Sequence, residues 1–315
     1  MGDQIKSAAV GTRPITWQHR LEAIAAQAVV AVLRLLPVEH ASTLGGWLAE
    51  KILMRTRRGK RAERQIAAVM PDLSPTDCKR IAKASCNSFG RAMAELPHLP
   101  AIFADPDRIT LRNDDILAAA KSRQSGTIYV AGHLGNWELL PGVASRADQN
   151  FHGFYRPLSN AILEDRLRKI RMAAAQKAIL VPAASRGVAD VISALRGGET
   201  AGLLVDLFEG NGLEGQFLGL STRTNALAAT LSIRCNAQII LVLVRRLPGV
   251  RFEIEFEEIE TSRTGNREQD IALTTEAINR KLEAAILAKP EQWLWSTNRW
   301  KGQDLSTLPT EAPSA

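Results

Sequence analysis

Apolar positions recur three and four residues apart through the first third of the chain. They do so in Leu21–Leu36, Ala41–Met54, Gly59–Val69 and Pro75–Glu95, which predicts four helices. Ser74-Pro75 is a strong start for the fourth, with serine as cap and proline at the first helical position, and Pro97 and Pro100 punctuate its end. From about residue 126 the period changes. Short β-rich runs at Thr127–Ala131, Phe151–Tyr155, Ala178–Val181 and Ala201–Val205 read as strands, separated by helices over Trp137–Ser145, Ala161–Gln176 and Gly187–Leu195. Gly210-Asn211-Gly212 reads as a turn, and Thr224–Arg234 as a helix. Strands Gln238–Arg245 and Arg251–Ile259 form a hairpin around Pro248-Gly249, and Asp270–Ala288 is a closing helix. Strands alternating with helices of this length predict an α/β fold: a mixed, partly parallel sheet flanked by helices, behind a helical N-terminal region. The expected division is a helical region over residues 1–120, an α/β core over 121–301 and a flexible tail over 302–315, with no internal repeat.

Composition narrows this picture. A chain of 315 residues with 45% hydrophobic content can bury a sizeable core, so coil is expected only at residues 1–14 and after Lys301. Lys and Arg total 40 against 33 Asp and Glu, a net charge of +7, which favours anionic partners: nucleic acid, anionic lipid or an acidic protein. Cys78, Cys86 and Cys235 contain no C-x-x-C, so they make neither a disulfide framework nor a zinc site; a reducing, cytoplasmic compartment fits. The apolar stretch Ala23–Leu36 is short of the ~20 residues that span a bilayer, and Gln27 and Arg34 interrupt it. It is either an amphipathic helix in the membrane interface or a helix packed on the protein's own core, and the basic run Arg55 to Arg61 favours the former.

Sheets of this kind place active sites beyond the carboxyl ends of strands. The first such end carries Gly132-His133-Leu134-Gly135-Asn136-Trp137-Glu138. With Asn136 as helix cap, Glu138 falls in the first turn, where its carboxylate can reach the His133 imidazole. A carboxylate on one ring nitrogen fixes the tautomer and leaves the other as general base. The same residues also suit a structural loop histidine and a glutamate that complements the helix dipole. Arg156 ends the second strand in Tyr155-Arg156-Pro157-Leu158, as an anion clamp or as an exposed arginine with no task. Asp206 ends another buried strand, as a site residue or as a carboxylate capping a turn. Arg166, Arg168, Lys169 and Arg171 make one helix basic, a solvated face or a surface for an acidic partner. The chain contains no G-x-S-x-G, no P-loop and no H-E-x-x-H, and nothing in it demands a metal or a cofactor.

Four blocks in order resemble the lauroyl/myristoyl late acyltransferases of lipid A synthesis, within the lysophospholipid acyltransferase superfamily. Gly132 to Glu138 is similar to that family's H-x4-D/E signature, and Phe154-Tyr155-Arg156-Pro157-Leu158 to its second block. Gly202-Leu203-Leu204-Val205-Asp206 is similar to the third, and Pro290 to Trp295 followed by Asn298-Arg299-Trp300-Lys301 to the last. The resemblance runs from about Leu33 to Lys301. Two departures touch the acceptor or acyl pocket: Leu207 follows Asp206 where the family usually has Gln, and Gln216-Phe217-Leu218-Gly219 replaces an aromatic-rich stretch.

The resemblance implies transfer of an acyl chain from an acyl-carrier-protein thioester to a hydroxyl of a Kdo-bearing lipid A precursor. It places the enzyme at the cytoplasmic face of the inner membrane, in lipopolysaccharide synthesis, with no cofactor. His133 would take the hydroxyl proton, and Glu138 would orient His133 and stabilise the imidazolium. Arg156 and Asp206 would bind substrate, Arg156 at a phosphate or the developing charge. The basic net charge agrees with an acidic carrier protein, a phosphorylated acceptor and an anionic membrane surface. Another lipid acceptor is the alternative, an ornithine lipid, a glycolipid or a lysophospholipid; the non-enzyme alternative is a basic membrane-binding protein. Nucleic acid is disfavoured, because no recognised binding motif appears and the aromatics are few and scattered.

Overall fold

A computed structural model of the protein describes residues 15–122, 125–146, 150–182, 185–303 and 305. The chain opens with α1 (Trp17–Leu35), α2 (Val38–Leu53), α3 (Arg57–Val69), α4 (Pro75–Glu95) and the short α5 (Leu99–Ala104). β1 (Ile109–Arg112) and α6 (Asp115–Ser122) lead into an alternating run: β2 (Thr127–Ala131), α7 (Leu140–Arg146), β3 (Phe151–Tyr155), α8 (Ala161–Ala174), β4 (Ala178–Pro182), α9 (Ser185–Arg196) and β5 (Thr200–Leu204). A hairpin of β6 (Phe208–Phe217) and β7 (Leu220–Thr224) follows, then α10 (Leu227–Cys235), β8 (Gln238–Leu247), β9 (Arg251–Ile259) and α11 (Arg267–Ala288).

Among the described residues seven strands make one sheet, in the order β1-β9-β8-β2-β5-β3-β4. From β8 to β4 the neighbours are parallel; β9 is antiparallel to β8 and carries β1 parallel to itself. The mixed sheet is therefore the one the alternation predicts. From β2 the chain crosses to β3 and β4, returns to β5 beside β2, and then moves to β8 on the other side. The order reverses around β2 and β5, which opens a crevice beyond their carboxyl ends.

Alternate residues of the central strands feed two cores. Ile128, Val130, Leu203, Ile239 and Leu241 pack in one, with side chains of α3, α4, α9, α10 and α11. Tyr129, Ala131, Phe151, Ile240, Val242 and Phe256 pack in the other, with side chains of α5, α7 and α8. Cys78 and Cys86 are buried in α4, and burial pushes both thiols up, Cys86 to about 11.

The elements depart from the expected pattern where tertiary contacts or local caps decide. α1 starts at Trp17 rather than Leu21, because Thr16 and His19 form a reciprocal capping box in which His holds the place usual for Glu or Gln. β1 and α6 lie outside the predicted elements; the strand is four residues, mostly exposed, and carries no apolar alternation. Gly210-Asn211-Gly212 is not a turn. It lies inside β6, at an irregularity where Phe208 and Leu213 both pair with Thr224. With Gly215 these glycines have G-x-G-x-x-G spacing, but they sit in a hairpin and not in a strand-to-helix turn, so the dinucleotide geometry is absent. The coil expected over residues 1–14 and in most of the tail lies outside the described residues. No described helix is long and apolar enough to cross a membrane.

Candidate active site

Ala131 at the end of β2 pairs in register with Leu204 at the end of β5. Two residues beyond each stand His133 and Asp206, so the parallel register sets them side by side. Asp206 is completely buried. Its Oδ1 accepts the His133 ring Nδ1 at 2.8 Å. Its Oδ2 accepts the His133 backbone N–H at 2.7 Å and the Trp293 indole N–H at 2.7 Å. Burial alone would raise the carboxyl, but the neighbouring His133 charge and the donated hydrogen bonds outweigh it and hold Asp206 below the ordinary carboxylate range. An ionised carboxylate only accepts. Nδ1 therefore carries a proton, and in the neutral imidazole Nε2 presents a lone pair, the arrangement of a general base with its orienting group. The ring also meets Trp137 edge-on at 5.0 Å.

The loop carrying His133 is strapped from several sides. Gly135 adopts φ +57°, and a Cβ there would overlap the Val244 carbonyl, so only glycine fits. Its N–H donates to the Gln292 carbonyl at 3.1 Å, while the Leu294 N–H donates to the His133 carbonyl at 3.2 Å. The C-terminal block thus holds the loop from one side. On the other, Asn136 accepts the Glu138 N–H at 3.2 Å and donates its side-chain amide to Glu95 at 2.7 Å. Buried Glu95 also accepts Arg246 in bidentate fashion, at 2.6 and 2.8 Å, and the Ser42 hydroxyl at 2.6 Å. Arg299 is buried against Phe217, 4.6 Å from its ring centroid, and donates to the Arg223 carbonyl at 2.7 Å. Burial pulls its guanidinium down to about 10, against the pull of Asp206 and Glu283, so it is charged at neutral pH.

Glu138 is not the partner of His133. Its carboxylate takes both arms of Arg171 from α8, at 2.6 and 2.5 Å. The position expected for it on the imidazole is filled by Asp206, which sits behind the histidine and does not line the cavity described next. The physical reason is register: β5 is hydrogen-bonded to β2, whereas Glu138 lies in a 3₁₀ turn, Trp137–Leu139, that turns its side chain toward α8. Burial lowers the Arg171 guanidinium, but its bonds and charge contact with Glu138 more than compensate and raise it. Arg156 is exposed at the mouth of the cavity described next. Asp206 was visible in the sequence as a charge ending a buried run. Arg171 was hidden among the other cations of α8, and Trp293 inside an apolar block; no spacing rule singles either out.

A cavity of about 410 Å³ opens beside His133. His133, Glu138, Arg156, Arg171 and Glu209 supply its charged groups, and the rest is largely apolar, including Leu140, Val143, Ala144, Phe151, Val242 and Phe256. Gly153 and Gly202 pair across β3 and β5 on its floor. A Cβ at Gly202 would overlap the Phe151 ring, so glycine lets that ring lie flat over the sheet and keeps the slot open. An apolar slot ending at a general base suits a hydrocarbon chain whose reactive carbonyl stops at His133.

The family model described as bacterial lipid A biosynthesis acyltransferase matches residues 15–302. Comparison with curated proteins finds no match.

Proposed function

The chain belongs to the bacterial lipid A biosynthesis acyltransferase family, and on that premise we propose that it moves a fatty acyl chain from an acyl-carrier-protein thioester to a hydroxyl of a lipid A precursor. The observation that carries the reading is the His133–Asp206 pair, with His133 lining a largely apolar slot. The acceptor oxygen attacks the thioester carbonyl carbon while His133 Nε2 takes its proton. The tetrahedral adduct collapses, the C–S bond breaks, and the leaving thiolate recovers the proton from the imidazolium. Asp206 holds the ring and balances the imidazolium charge. Arg171, kept in place by Glu138, and Arg156 supply positive charge for the developing oxyanion or an acceptor phosphate. Glu138 acts through Arg171 as a positioning residue.

The proposed location is the cytoplasmic face of the inner membrane. Trp17, Leu21, Ile24, Val29, Val32 and Leu35 of α1 are exposed, as are Leu44, Trp47, Leu48 and Ile52 of α2. Exposed Arg55, Arg57, Arg58 and Lys60 follow them. An apolar face beside cations favours an anionic lipid surface.

Purified protein given acyl-carrier-protein thioester and a lipid A precursor is expected to add the mass of one acyl chain to the precursor, read by mass spectrometry. Leu207 lines the cavity at the position where the family usually has Gln, so ornithine lipid, glycolipid and lysophospholipid run in parallel. Transfer only to one of these moves the acceptor assignment. Transfer to no lipid hydroxyl overturns the enzyme reading in favour of a membrane-binding protein.

A further inference from the structure

A second cavity of about 400 Å³ lies behind the wall of the catalytic one, and Leu117 of α6 and Val143 of α7 line both. We infer that these two side chains form the partition that stops the acyl chain, and that they set the chain length the enzyme transfers. The inference rests on the acyl-transfer reading above.

Of the slot's apolar lining, Leu117 and Val143 are the residues that also line the second cavity. Tyr129, Val242 and Phe256 rise from the sheet, within a continuous buried cluster. None of the three lines the second cavity, so trimming them does not open the slot into it. Behind Leu117 and Val143 there is open space with an apolar floor from Phe103, Ile109 and Leu111. Arg146 sits over the Phe103 ring at 4.8 Å, and Asp105, Asp114 and Lys121 bring charge to the same cavity. A chain that passes the partition therefore meets both apolar and charged groups in the second cavity. Each methylene accommodated in such surroundings favours binding by about fourfold, and a methylene that meets a fixed wall loses that gain and adds strain. α6 and α7 flank β2 in sequence, so the partition is carried by the same segment that carries His133.

The test varies chain length rather than total activity. Wild type, Leu117→Ala, Val143→Ala and Val143→Phe compete saturated acyl thioesters of eight to eighteen carbons, with product lengths read by mass spectrometry. Both alanine variants should move the cut-off to longer chains, raising the ratio of transfer for a chain two carbons past the wild-type limit by about tenfold. Val143→Phe should move it the other way. The same proteins titrated with free fatty acids of these lengths read the slot without turnover: affinity climbs about fourfold per carbon and then stops, and the stopping point shifts with the substitution. Folded variants whose transfer and binding cut-offs both match wild type overturn the partition while leaving the acyl-transfer reading intact. Shifted fatty-acid binding with no acyl transfer by wild type supports the partition and fails the proposed reaction instead.

Discussion

Asp206 holds three donors where solvent does not reach, and its carboxyl is depressed despite complete burial. A carboxyl depressed on folding contributes stability that is fully present above its unfolded value, ~3.9, and that is lost as pH falls through the lower folded value. Asp206→Asn removes that contribution at neutral pH. The melting-temperature gap between wild type and Asp206→Asn should therefore be widest near pH 7 and close as pH drops below about 4. Glu39, Glu199 and Glu253 are depressed as well and give both proteins the same acid slope, so the difference isolates position 206. A gap constant from pH 7 to pH 3 would mean that Asp206 is not ionised in the folded state. At this scale the sequence showed which groups are chemical but not which are paired. His133 was legible from its strand end and flanking glycines. Its partner was not, since the nearer carboxylate in sequence, Glu138, is claimed by Arg171.

Among the elements, α1 is where propensity and environment part company. Of its residues only Ala23 is buried, Val30 and Leu33 are half-buried, and Trp17, Leu21, Ile24, Val29, Val32 and Leu35 are exposed. Its side of the fold is anchored instead by polar contacts, among them Asn160 donating to the His19 carbonyl at 2.9 Å and to Glu22 at 2.9 Å. On the membrane-surface proposal, the protein binds vesicles containing anionic lipid at low ionic strength, and emission from Trp17 and Trp47 shifts to the blue. High salt releases part of it, because the basic share of the attachment is screened and the apolar share is not. Ile24→Glu with Val32→Glu should weaken binding severalfold without lowering the melting temperature, since both side chains are exposed. No binding at low salt would remove the surface assignment. The sequence showed this helix as amphipathic but left its apolar face open between lipid and core, because periodicity gives a stripe and not what covers it. The hairpin of β6 and β7 escaped for the opposite reason: three glycines and exposed polar residues carry no stripe at all.

For the molecule as a whole, the alternation of short apolar runs and helices was enough to specify a layered α/β fold, because burial on both faces makes parallel strands read as continuous apolar runs. Strand order was not legible. Nothing in Gly202 to Asp206 says that this strand returns to lie against Thr127–Ala131, yet that placement builds the catalytic pair. The C-terminal block is similar: Trp293 reaches Asp206 from 87 positions away. The central claim is that His133, oriented by Asp206, is the base for acyl transfer, and turnover of the acyl thioester with its lipid acceptor tests it most directly in His133→Ala, Asp206→Asn and the double variant. Each single change should slow kcat by roughly 10²–10⁴-fold in a protein that melts cooperatively, and the double should be no slower than His133→Ala alone, because both residues serve one proton transfer. Near-normal turnover by folded His133→Ala, or losses that multiply in the double variant, would contradict it.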